Sequence, residues 1–300
     1  MLDNFFRLNG IPTEIPDQAE FERLLNMSNS LKNALYRSDE LRESAGRKTL
    51  KIKDCSFSNF SFSKTKIKNV IFINCKFTDC LFIGTEIRDC EFSNCRFSNV
   101  NTFKIIIENT YINLDSFVGS IRGIDKSNIA IHLFQQLLQN SKMQGQQKFS
   151  RVAEYNFNKW RDNLTLNKFW NKQPYKISLC QFLKEYPLNI LFRWTFGYGF
   201  RFKNFIVTFA ICFIGFFLIN KYNWASYSLE KKDICIEAFN PDSVNIASNL
   251  LYTMDVTTKL IDSQFQPSSN TGMFWLSFQS VVAFILLSAL ITILINRFVK

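Results

Sequence analysis

The sequence predicts a mixed fold: a four-sided β-helix with a helical cap, then a helical hairpin, then a two-helix transmembrane module. Three observations predict it. Between Leu50 and Phe117 a large apolar residue recurs at every fifth position: Ile52, Phe57, Phe62, Ile67, Phe72, Phe77, Phe82, Ile87, Phe92 and Phe97. The position two residues earlier is mostly small: Cys55, Thr65, Val70, Cys75, Cys80, Thr85, Cys90 and Cys95. Nearer the C-terminus, two uncharged apolar runs, Phe205–Ile219 and Met273–Ile295, flank a polar loop.

A fixed short period marks a solenoid, and a period of five is neither helical nor a simple strand alternation. One large and one small inward residue per five fit a square coil, in which residues twenty apart stack. The columns agree: Phe57, Phe77, Phe97 and Phe117; Ile52, Phe72, Phe92 and Ile112; Ile67, Ile87 and Ile107. Stacked coils lie ~4.8 Å apart, the ordinary interstrand spacing. The register weakens at Asn101-Thr102-Phe103, where Thr102 takes an apolar slot, and returns at Ile107. The pattern resembles the pentapeptide-repeat family, which implies a right-handed quadrilateral β-helix over about 50–117.

Five of the eight cysteines fall in the small slot, where a thiol serves as a compact hydrophobe. No C-x-x-C pair occurs and the lone His132 lies outside the repeat, so no metal site is expected. Stacked reduced thiols suit a cytosolic compartment. The family it resembles includes DNA mimics that protect gyrase, but mimicry needs a negative surface. Here 36 Lys and Arg stand against 25 Asp and Glu. Lys51, Lys53, Lys64, Lys66, Lys68, Lys76, Arg88 and Arg96 lie within the repeat. That sign is wrong for mimicry; a solvated face is the plain expectation, with nucleic acid, an anionic ligand such as a nucleotide or lipid headgroup, or a cytosolic protein as the alternative partners.

Segment 1–49 lacks the apolar core of a signal peptide. Asp17 and Glu20 form a capping box before Phe21, Leu24, Leu25, Leu31 and Leu35. This predicts an amphipathic helix reaching about Glu43 that covers the open end of the solenoid. In 118–173, Ile129, Leu133, Phe134, Leu137 and Leu138 share one helical face. Gly145 interrupts, and Phe149, Val152, Ala153, Phe157 and Trp160 begin a second helix. His132 reads as structural, with no catalytic cluster near it. No phosphate loop, nucleophile–base pair or metal motif points to an enzyme or a cofactor.

Segment 174–203 is aromatic and basic, as at a membrane interface. Within it Trp194, Gly197, Tyr198, Gly199 and Arg201 read as an interfacial elbow. In 204–300 the second apolar run meets the ~20-residue length of a bilayer span. The first is extended by Phe202 and Asn220. Lys and Arg favour the side holding both termini, which predicts cytoplasmic ends; the expected location is a bacterial inner membrane. Cys235 then faces the oxidising side.

The re-entrant loop, about 243–272, carries the functional expectation. Asn245–Thr258 can form a short pore helix with Ile246, Leu250, Leu251 and Met254 as its apolar positions and Asp255 on the same helix. Thr257-Thr258 end it, and a non-helical stretch descends to the second span. Span, short helix, Thr-Thr, loop, span: this order resembles the two-transmembrane potassium-channel pore module over about 200–298. That family follows its paired Thr with Val-Gly-Tyr-Gly-Asp. Here Thr258 is followed by Lys259-Leu260-Ile261-Asp262-Ser263. Without the filter glycines, the carbonyl geometry that selects K⁺ is not expected. Thr257, Thr258, Lys259, Leu260, Ile261 and Asp262 are the candidate pore residues, with Lys259 and Asp262 giving opposite charge biases. Two spans cannot enclose an axis, so copies of the chain must surround it, and the resemblance implies a homotetramer. The expected function is an ion channel gated through the repeat domain. The alternatives are a membrane-anchored interaction scaffold and a membrane-depolarising defence or toxin effector.

Overall fold

The structure, a computed structural model, describes residues 5–43, 49–170, 176–229, 246–258, 265–267 and 269–298. It divides into two compact units, Met1–Ile190 and Leu191–Lys300.

The first unit is a β-solenoid of about five turns. One face stacks Thr13–Ile15, Ser30–Tyr36, Ser56–Ser61, Lys76–Thr78 and Arg96–Ser98. A second stacks Leu50–Lys53, Val70–Ile73, Glu91–Ser93 and Tyr111–Ile112, and a third Glu40–Leu41, Lys66–Lys68, Glu86–Arg88 and Ile106–Glu108. Single bridges Ser61–Leu81 and Leu81–Asn101 make the fourth. All these pairings are parallel, and the repeat strands pair in the twenty-residue register: Phe57 faces Phe77, Phe72 faces Phe92, Ile67 faces Ile87.

The interior is a set of stacked rings. Phe77 lies 5.1 Å from Phe57 and 4.8 Å from Phe97, both stacked nearly parallel to it, and Phe117 continues the column 4.0 Å beyond Phe97. The small slot has a second role. Cys80 Sγ donates to Phe57 O at 3.4 Å and Cys95 Sγ to Phe72 O at 3.4 Å. Thr85 Oγ1 makes the same bond to Phe62 O at 2.8 Å. The slot therefore takes a small side chain able to donate to the previous coil. Burial pushes the Cys80 thiol up to about 12 and the Cys90 thiol up to about 11.

Every fifth residue from Asp54 to Asn109 has a φ of 45–64°, turning each corner left-handed. Most are Asn or Asp, which tolerate that region. Their amides form ladders between coils: Asn74 Nδ2 donates to Asp54 Oδ1 at 3.0 Å, and Asn94 Nδ2 to Asn74 Oδ1 at 2.8 Å. At Thr102, fully buried where a large apolar residue was due, the hydroxyl makes no hydrogen bond.

The helix expected to reach Glu43 is shorter. Helix α1, Gln18–Met27, starts at the Asp17 cap and ends at Ser28. Ser30–Tyr36 is instead a strand paired with Ser56–Ser61. Leu31 pairs with Phe57, so it is the first member of the phenylalanine column rather than part of a helix face. The coil between them is six residues longer than the rest, and this hides the period. Helix α1 still covers the open end, with Phe21 stacked 6.2 Å from Phe57. The other end is closed by the hairpin of α2, Ser127–Met143, and α3, Gln147–Trp170, which turns at Gly145. Asn140 grips the last coil, accepting from Thr110 N at 3.0 Å and donating to Thr110 O at 2.7 Å. His132 is half-buried on α2, its pKa lowered by burial.

Candidate functional site

Helix α4, Leu179–Phe196, contains Pro187 and leads into the elbow. Gly197, Tyr198 and Gly199 have φ of 55°, 55° and 80°. A Cβ on Gly197 would lie 2.6 Å from Arg201 Cβ, so the turn requires glycine there. Gly197 and Gly199 are buried, Tyr198 is half-buried, and Trp194 and Arg201 are exposed. The elbow is tied to its neighbours by Asn296 Nδ2 donating to Gly199 O at 3.4 Å and Asn204 Nδ2 to Trp194 O at 3.1 Å.

Beyond the elbow stand α5, Phe202–Tyr222, and α7, Asn270–Phe298. Both are long and apolar enough to cross a membrane, and only 11% and 22% of their most apolar stretches are buried in the chain. Most of each stretch is therefore not buried by this chain. Phe196, Phe205, Leu286 and Ile293 pack the end near the elbow.

Between the other ends sits α6, Ile246–Thr258. Its sides are reversed relative to a soluble helix. Ser248, Asn249, Tyr252, Thr253, Val256 and Thr257 are buried, whereas Ile246, Leu250 and Leu251 are exposed. The buried side joins a polar network. Asn220 of α5 donates to Thr253 Oγ1 at 2.9 Å and to Gln279 Oε1 at 3.2 Å, and accepts from Tyr227 OH at 3.2 Å. Gln279 of α7 donates to Thr257 Oγ1 at 2.9 Å, and Asn249 Nδ2 to Phe217 O at 3.1 Å. Trp224, Tyr227, Tyr252 and Val256 seal one side of it. Amides hydrogen-bonded across helices in this way contribute to helix association alongside side-chain packing.

The loop ends are drawn together by Tyr227–Leu229 pairing antiparallel with Phe265–Pro267. A Cβ on Gly272 would lie 2.6 Å from Ser226 O, so glycine lets α7 start this close.

The candidate pore residues are placed as follows. Thr257 is buried on Gln279, and Thr258 Oγ1 donates to Met254 O at 2.6 Å. Leu250 and Leu251 are exposed, and Met254 and Asp255 are half-buried. Lys259, Leu260, Ile261 and Asp262, like Cys235, lie outside the described residues. Sequence reasoning treated Asn220 only as an extension of the first span and passed over Gln279. The available signal was an amide within or ending an uncharged run, where a polar side chain is expensive unless paired.

The repeat's basic side chains are not one continuous patch. Lys66 pairs in register with Glu40 and Glu86, and Arg88 Nε lies 3.4 Å from Glu108. On another face Lys76 and Arg96 are direct neighbours. No group of side chains able to hold a metal occurs among the described residues.

Residues 61–99 match the family model of pentapeptide repeats (8 copies). The matched stretch lies wholly inside the solenoid, so the comparison bears on the scaffold and leaves the C-terminal unit to its own geometry. A search of curated proteins returned no match to the chain.

Proposed function

We propose that the protein is a homo-oligomeric membrane ion channel, most simply a tetramer, with α6 as a re-entrant pore helix and the solenoid as its cytoplasmic regulatory domain. One observation carries the reading: a short helix is fastened between two apolar helices by buried amides while its own apolar side faces outward. A helix built this way suits an apolar surround of lipid or neighbouring subunits. Conduction would be facilitated diffusion, with no covalent step. The missing filter glycines argue for selectivity unlike that of potassium channels. A ligand or partner at the solenoid would gate it by binding the open arrangement more tightly than the closed one.

The second reading, a tether for an interaction scaffold, has its own support: the hydroxyls of Thr257 and Thr258 are both engaged within the chain. Ion flux into proteoliposomes separates the two, with subunits counted by particle imaging in detergent. Flux from a ring of copies is expected. Single-chain particles, or silent vesicles containing folded protein, would refute the channel.

A further inference from the structure

The arm that precedes the first strand lies along the outside of the solenoid. Asn33 Nδ2 donates to Ile11 O at 2.8 Å. Asn59 takes both sides of one residue, accepting from Asn9 N and donating to Asn9 O, each at 2.9 Å. Asn101, fully buried, donates to Phe5 O at 2.8 Å. Asn33, Asn59 and Asn101 belong to different coils, so the arm runs along the axis, across the strands. Three coil steps span about 14 Å, within the roughly 20 Å that six residues can reach.

Only two arm side chains are anchored by ring contacts. Phe5 is buried beneath Lys126, whose Nζ lies 3.6 Å from the ring centroid, and Phe6 meets Phe103 edge-on at 5.6 Å. Ile11 is 93% exposed, and Gly10 has open space around it at φ +77°. The groove thus reads backbone through asparagine amides and reads sequence through a pair of adjacent aromatic rings.

We infer that this groove is a peptide-binding site, closed in cis by residues 5–11, and that its partner in trans is an extended segment of another protein carrying two adjacent aromatic residues. The cis arm acts as a built-in competitor: tethered, it works at an effective concentration near millimolar. A partner must outbid it, which makes occupancy switchable.

The test uses the full chain in detergent and a fluorescent peptide of residues 5–12. Wild type should bind it weakly, because the groove is filled. Full-length Phe5→Ala/Phe6→Ala should bind about 10-fold more tightly, its own arm having been weakened as a competitor. Adding Asn59→Gly, which keeps the left-handed corner, should reverse the gain. Equal affinity in all three folded proteins overturns the proposal. If the double variant fails to fold, hydrogen exchange on wild type decides: excess peptide should speed exchange of the Asn9 amide, and unchanged exchange overturns the proposal. A peptide-sensitive change in oligomeric state would assign the groove to a second copy of the chain and overturn the partner assignment.

Discussion

Asn220→Leu is the sharpest probe of the C-terminal unit. The asparagine is 1% exposed and makes three side-chain hydrogen bonds, to Thr253, Gln279 and Tyr227. Leucine matches its size closely, so the change removes polarity more than volume. Interhelical hydrogen bonds in membrane proteins average about 0.6 kcal/mol. Three give about 2 kcal/mol, a roughly 30-fold fall in the folded-to-unfolded ratio. Thr253 keeps its bond to Asn249 Oδ1 at 3.2 Å, but buried Gln279 Oε1 loses the one donor it has among the described residues, so about 2 kcal/mol is the lower end of the expected cost. Equilibrium unfolding in mixed micelles, followed through Trp224 beside Tyr252, measures the loss. Asn223→Leu is the comparison, since the Asn223 side chain, among the described residues, bonds only the Ile219 carbonyl of its own helix and should cost well under half as much. A shift below about 0.5 kcal/mol for Asn220→Leu, or equal shifts for both variants, would refute the idea that this network holds α6 in place.

Three further outcomes follow from the same geometry. Phe77→Ala empties the centre of the ring column and should cost about 4 kcal/mol by chemical denaturation; a cost under 1 kcal/mol would mean the stack does not bear the core. The buried thiols predict alkaline sensitivity. Unfolded cysteines ionise near 9, whereas Cys80 and Cys90 stay protonated to about 12 and about 11. Raising pH through that window therefore favours the unfolded chain, and Tm should fall between pH 9 and 11. Cys80→Ser/Cys90→Ser should flatten the fall, because a hydroxyl can keep the donation that Thr85 makes. Gly197→Ala should destabilise the elbow by about 1–2 kcal/mol from its left-handed backbone alone, with the contact to Arg201 adding to it; a neutral thermal shift would show that the turn rearranges freely.

Much of the solenoid was legible because a stacked coil repeats one local solution. The ring columns and the small slot sit where the period of five puts them. A second, equally regular signal went unread: Asn or Asp at most corners, from Asp54 to Asn109. The first coil was missed because its extra six residues break the count, and Leu31 and Leu35 then fall at a helical spacing. Their fate is decided by a strand twenty-six residues away.

In the C-terminal unit the order of elements was readable from hydropathy, since length and the lack of charge are local properties. Which side of α6 turns inward was not. Ile246, Leu250 and Leu251 form the side a soluble helix would bury, yet the chain buries Asn249, Thr253 and Thr257, because the Phe217 carbonyl, Asn220 and Gln279 meet them on α5 and α7. Sequence alone determined the repeat, the two apolar helices and the short helix between them. Tertiary structure decided which polar groups meet, because a buried amide takes its position from partners that lie up to 59 residues away along the chain.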